Sequence, residues 1–243
     1  MKFEADLHIH TVASGHAYST VMEIVGAAAR KGLKLIGLTD HGPSMPGAPH
    51  PYHFGALRLI PEEYKGVEIL KGVEANIINF DGELDLEEKY LKKLDFVAVG
   101  FHDHACLGGD KDQYTETLLK VLENPFVDII VHPGNPMFEV DYEKVVEAAG
   151  KNGVLLEINN SSLYTSRKGS CDNCLTIARE AASQGIRICV GSDAHWAEDV
   201  GRFEHAIELI TNAGVKEEQI VNLKASRVKE FIKGRSKMRA PEA

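Results

Sequence analysis

The chain is poor in the features that mark several protein classes. It has one tryptophan and four cysteines in 243 residues, too few cysteines for the disulfide framework of a secreted scaffold. Cys171 and Cys174 form a C-x-x-C, but a structural zinc site of that type needs a second ligand pair nearby. Cys106 is isolated and Cys189 sits in an apolar segment, so all four read as reduced bystanders. No apolar run approaches the roughly 18 residues of a membrane-spanning helix. Acidic Glu4 and Asp6 stand where a signal peptide would be apolar. The expected location is therefore the cytoplasm, away from membranes. Positive charge is also in deficit: 27 Lys and Arg against 36 Asp and Glu give a net charge of -9, which argues against a nucleic-acid partner held by a basic face.

What remains is an ordinary globular balance, 44% hydrophobic and 26% charged, with length enough for a large core. Seven short apolar segments, at 3–8, 34–39, 67–73, 96–101, 127–131, 154–158 and 187–191, read as strands. Their unbroken apolar character suits parallel strands buried on both faces. Helical patterns lie between them, with end signals such as the capping box Thr20-x-x-Glu23 and the stop at Gly32, a cap at Asp141, and a stop at Gly185. Alternating βα units with no linker predict an α/β fold, a single barrel-like domain over 1–233 followed by a frayed tail, 234–243. Seven strands, one short of the usual eight, predict a distorted or incompletely closed TIM-like barrel.

The eleven histidines carry the chemistry. Just past the strands come His8 and His10, Asp40 and His41, Glu74, His102, His132, Asn159 and Asn160, and Asp193 with His195. The C-terminal ends of parallel barrel strands meet on one face, so these residues should share one bowl. His8 and His10, two apart on a strand, point the same way, which places two imidazoles side by side. His16 follows in the next loop. Imidazoles with two carboxylates suit zinc best, with manganese or iron as alternatives. Seven histidines and two carboxylates exceed the needs of one or two ions; three fit if one carboxylate bridges. Such a site would be electropositive inside an acidic protein, and its natural guest is a phosphate dianion.

The motifs Asp6-Leu7-His8-Ile9-His10 with His16, Thr39-Asp40-His41-Gly42, Gly72-Val73-Glu74, Gly100-Phe101-His102, His132-Pro133-Gly134-Asn135-Pro136 and Ser192-Asp193-Ala194-His195 resemble the polymerase-and-histidinol-phosphatase (PHP) superfamily. Within it, Thr11-Val12-Ala13-Ser14, Asp40-His41-Gly42-Pro43, the segment 156–162 and Ser166-Arg167-Lys168-Gly169 resemble the YcdX-type trinuclear zinc phosphatases. The resemblance runs from about residue 3 to 230. It implies a distorted (β/α)7 barrel with three metal ions. It also implies a grouping: His8, His10, Glu74 and Asp193 on one ion; Glu74, His102 and His132 on a second; His16, His41 and His195 on the third.

The expected function is metal-dependent hydrolysis of a phosphomonoester, a small phosphorylated metabolite or nucleotide, by a hydroxide activated at a trinuclear site. The alternatives are a phosphodiesterase or exonuclease of the same superfamily, an amidohydrolase, and a non-catalytic metal-binding module. Arg167 is the candidate catalytic side chain, binding phosphate through its fork, or else a solvated surface charge. Asp6 and Asp40 either orient an imidazole or serve as ordinary surface or capping acids. The proline-rich segment 42–66 should overhang the pocket, where His50 or His53 could protonate the leaving group or merely pack. His104 and His205 are read as non-ligands.

Overall fold

The computed structural model describes residues 1–105 and 108–239; Cys106 and residues 240–243 lie outside them. The strands are β1 (Ala5–Ile9), β2 (Leu35–Leu38), β3 (Glu63–Tyr64), β4 (Val67–Lys71), β5 (Glu74–Asn76), β6 (Ala98–Gly100), β7 (Ile129–Ile130), β8 (Leu155–Asn159) and β9 (Ile188–Gly191). They form two sheets, ordered β1-β2-β4-β3 and β5-β6-β7-β8-β9. Apart from the short antiparallel β3, every pairing is parallel. One chain segment links the sheets, because β4 and β5 are two halves of a single barrel strand bent at Gly72 and Val73. Single bridges, His41 to Glu74 and Ile9 to Ala194, join the sheets at both seams. The result is a distorted, loosely closed (β/α)7 barrel, as the spacing of apolar segments predicts.

The bend lies against an aromatic ring that leaves no room for a side chain. A Cβ at Gly72 would sit 2.7 Å from the ring of Phe96, and one at Gly37 would sit 2.6 Å from it. Phe96 thus occupies the space that side chains at those two positions would take.

Helices α1 (Val21–Lys31), α2 (Tyr52–Ala56), α3 (Glu88–Leu91), α4 (Lys111–Glu123), α5 (Tyr142–Asn152), α6 (Ser170–Gln184), α7 (Glu204–Asn212) and α8 (Ala225–Arg239) follow the strands. Their ends obey local chemistry. Thr20 and Glu23 form the reciprocal cap of α1, Asp141 caps α5, and α1 and α6 stop at left-handed Gly32 and Gly185. Val145, Val146 and Ala149 of α5 and Ile177, Ala178 and Ala181 of α6 are buried against Leu156, Ile158 and Val190, each large side chain contributing about 1.5–3 kcal/mol.

The barrel floor is a separate apolar layer. Ala5, Leu7, Leu35, Phe96, Ala98, Ile129, Leu155 and Cys189 pack there with Val228 and Phe231 of α8. The segment expected to fray from Gly234 is instead helical through Arg239. Arg235 anchors it: its side chain is buried, Nε lies 3.2 Å from Asp128 Oδ1, and Nη1 donates to Asn152 O at 2.7 Å. No described helix is long and apolar enough to cross a membrane.

Candidate metal centre

Strand β8 shows how the barrel changes character along its axis. Leu155 belongs to the apolar floor, while Glu157 and Asn159, two and four residues on and so on the same face, are buried polar groups. Glu157 Oε1 accepts from His8 Nδ1 at 2.7 Å, and its Oε2 accepts the His132 backbone N–H at 2.9 Å and Asn159 Nδ2 at 3.0 Å. Gly191 makes room for this carboxylate, since a Cβ there would lie 1.8 Å from Glu157 Oε1. The register of β1 slips between Asp6 and Ile9, a bulge at the level of His8 that bends the strand locally.

With its Nδ1–H given to Glu157, His8 turns Nε2 to the bowl, the nitrogen that offers a lone pair once a cation replaces its proton. That atom lies 3.1 Å from His10 Nε2, 3.3 Å from Glu74 Oε2 and 3.4 Å from Asp193 Oδ1. His10 Nε2 is 3.3 Å from Glu74 Oε2 and 3.2 Å from Asp193 Oδ1. Four electron-pair donors therefore converge with their lone pairs aimed inward, a set that a cation would satisfy. Burial opposes charge on His8, yet Glu157, Asp193 and Glu74 raise its pKa well above the usual range. The electrostatic demand at this point is for positive charge.

Glu74 is shared further. His132 Nε2 and His102 Nε2 stand 2.7 and 3.1 Å from Oε1, and His41 Nδ1 is 2.8 Å from Oε2. Oε2 and His41 Nδ1 have no hydrogen-bond partner although both are buried; such orphaned atoms are what an ion would occupy. His16 stacks between His41 and His195 at 5.0 and 4.9 Å. Among the described residues, three groups have ligand-type atoms mutually within 4.8 Å: His8, His10 and Asp193; His41, Glu74 and His102; His10, His41 and His195. The seven candidate histidines and the two carboxylates, Glu74 and Asp193, thus all lie in one bowl, and His41 bridges the sets that the family resemblance keeps apart.

Arg167 lies on the rim, not in free solvent. Its Nη1 donates to Asp193 Oδ2 at 2.9 Å, and it also reaches Ser162 and Ser166. Among the described residues its Nη2 and Nε make no hydrogen bond. A cleft of about 570 Å³ opens above, lined at its base by His16, His41, His102, Asp193 and His195 and on its walls by Phe101, Met137, Phe138, Tyr164 and Arg202. His132, Arg167 and Asp193 all have positive φ, at 37°, 47° and 57°, each a strained backbone worth about 1–3 kcal/mol that surrounding structure must hold.

Other expectations fare differently. Asp6 orients no imidazole; it accepts from Ser192 and from the Gly201 backbone at 2.8 Å, tying β1 to the segment after β9. Asp40 also reaches no ring of the cluster directly. From the segment 42–66 only Met45 lines the cleft. His53 instead sits 3.3 Å from Asp40 Oδ2, and His50 accepts from Tyr52 N at 3.1 Å, so neither is placed to protonate a leaving group. His104 is exposed beside Asp103, and His205 stacks on Tyr164 at 5.1 Å. Asn159 does belong to the bowl, 3.3 Å from Asp193 Oδ2. Glu157 is the residue that reading for strand ends passes over. Its signal was present: a carboxylate inside an apolar strand needs a buried partner.

The PHP domain profile matches residues 6–161, and the PHP-associated profile matches residues 173–222. The chain is 51% identical over 235 residues to a protein of Thermoanaerobacter sp. (strain X514) named as a probable phosphatase, covering 96% of each. It is 51% identical over 233 residues to a probable phosphatase of Acetivibrio thermocellus, again covering 96% of each. Its fold is similar to that of a histidinol phosphate phosphatase from Lactococcus lactis crystallised with zinc, L-histidinol and phosphate. That match has a TM-score of 0.61 at 16% identity, over 89% of this chain and 95% of the other.

Proposed function

The chain belongs to the PHP domain family, and from that membership and its converging ligand atoms we propose that it is a metal-dependent phosphatase of small phosphomonoesters, a metabolite or a nucleotide, of the YcdX type. The observation that carries this reading is the meeting of His8, His10, Glu74 and Asp193 with their lone pairs facing one another. Three divalent ions are proposed, zinc first, with manganese and iron suited to the same donors. His8, His10, Glu74 and Asp193 would hold one, Glu74, His102 and His132 a second, and His16, His41 and His195 the third. When bound, such ions supply charge stabilisation at the phosphoryl oxygens and lower the pKa of water towards about 7, the source of the nucleophilic hydroxide.

The chain's own groups do the rest. Arg167, fixed through Nη1 on Asp193, offers its Nη2–Nε edge to a phosphoryl oxygen pair. Glu157 fixes the ring of His8, and Asn159 steadies Asp193. Phe101, Met137 and Phe138 form an apolar wall that excludes water from one side and packs against the leaving group. The zinc and phosphate bound by the Lactococcus lactis protein, and the names of the bacterial relatives, support the same chemistry. The test compares a chromogenic monoester with its diester before chelation, after it, and after zinc is restored. The reading expects monoester turnover that is lost and then recovered; preference for the diester overturns it.

A further inference from the structure

The motifs Thr11-x-x-Ser14 and Asp40-His41 converge on a contact that the metal set itself does not explain. Asp40, buried after β2, has its carboxylate filled by other donors. Oδ1 accepts the Thr11 N–H and the Ser14 hydroxyl, each at 2.7 Å, and Oδ2 accepts the Thr11 hydroxyl at 2.7 Å. Thr11 and Ser14 are set for this by one short 3-10 turn, Val12–Ser14, with Thr11 at its N-cap.

Ser14 has a single hydroxyl proton, and Asp40 takes it. The Ser14 oxygen is then only an acceptor. Two groups point at it, the His41 backbone N–H and His10 Nδ1, both at 3.1 Å. Nδ1 must therefore bring the proton of a neutral imidazole, which leaves Nε2 with the lone pair aimed at His8, Glu74 and Asp193. His8 reaches the same state by bonding a carboxylate directly; His10 reaches it through a hydroxyl whose direction a carboxylate fixes.

We propose that Ser14, oriented by Asp40, is a positioning residue that locks His10 as its Nδ1–H tautomer and so makes Nε2 the ligand atom. The same oxygen steadies the backbone of His41, so one buried hydroxyl serves two of the nine residues. The proposal rests on the reading of this bowl as a metal centre.

The experiment is long-range proton–nitrogen correlation spectroscopy on protein labelled with 15N at histidine, zinc-loaded and zinc-free, with zinc content measured on the same samples. His10 should carry its proton on Nδ1 in both. In Ser14→Ala the Nε2–H form should appear in the zinc-free protein, and zinc should be lost to a competing chelator about tenfold more readily, or worse. A zinc-loaded wild type with His10 protonated at Nε2 overturns the proposal. So does a Ser14→Ala protein whose tautomer and zinc affinity are both unchanged. If that variant does not fold, the wild-type spectra decide alone. A wild-type protein that takes up no zinc overturns the metal reading instead.

Discussion

Glu157 Oε1 stands 2.7 Å from His8 Nδ1, a contact between residues 149 apart in sequence. Because the same carboxylate also accepts the His132 backbone N–H, it fixes the ring of one strand-end histidine and the backbone of another. Glu157→Gln keeps the volume and an acceptor but removes the charge. Zinc affinity, read by chelator competition, should fall about 10–100-fold, with melting temperature little changed. An unaltered affinity would mean the contact is only structural.

Glu74 is the acid on which His8, His10, His41, His102 and His132 all converge. Glu74→Ala should abolish phosphomonoester turnover and reduce bound metal below the three ions per chain proposed here. Elemental analysis of the purified variant beside the wild type checks this; full metal content with full activity would remove Glu74 from the centre.

Arg167 separates phosphate binding from metal holding. Arg167→Ala should leave metal content close to wild type while lowering kcat/KM for a monoester by about 10²–10³, the range for losing one group that stabilises developing charge. Arg167→Lys should recover only part of it, since a point charge lacks the planar fork.

Three thiols give a test of burial. Cys174 is buried, and burial pushes its pKa up to about 12 from an ordinary 9.0. The unfolded chain therefore releases this proton at lower pH than the folded one. Its contribution to stability is full below about 9 and lost as pH rises towards 12. Denaturant melts at pH 8 and pH 10 should show a smaller alkaline loss in Cys174→Ala than in wild type. Peptide mapping after alkylation of the native protein should find exposed Cys171 modified and buried Cys174 and Cys189 protected.

Stability at the other end of the barrel rests on Arg235, which bonds Asp128, Val127 O and Asn152 O. Arg235→Ala should cost about 3–5 kcal/mol by leaving Asp128 charged and buried, measured by denaturant unfolding, with kcat of the folded fraction unchanged. Its composition is the reason this helix reads as a tail: residues 233–239 are mostly polar, and the bonds of Arg235 join them to residues about a hundred positions earlier.

The strands were legible because parallel strands buried on both faces leave continuous apolar runs, and the candidate ligands because a barrel gathers its strand ends. The bent strand at Gly72 was not, since the Phe96 ring that meets it arrives from elsewhere in the chain. Glu157 and Ser14 escaped a reading centred on strand ends because they meet the Nδ1 edge of an imidazole, turned away from the bowl. The site of His53 was hidden for a related reason: loop length says a segment can reach the cleft, as Met45 does, but only the packing of His53 against Asp40 says that this side chain does not.

The most direct measurement is anomalous diffraction, recorded on either side of the zinc absorption edge, from crystals of zinc-loaded protein. The account predicts three peaks in the bowl, one of them enclosed by His8, His10, Glu74 and Asp193. Zinc found elsewhere, with that position empty under saturating metal, would contradict it.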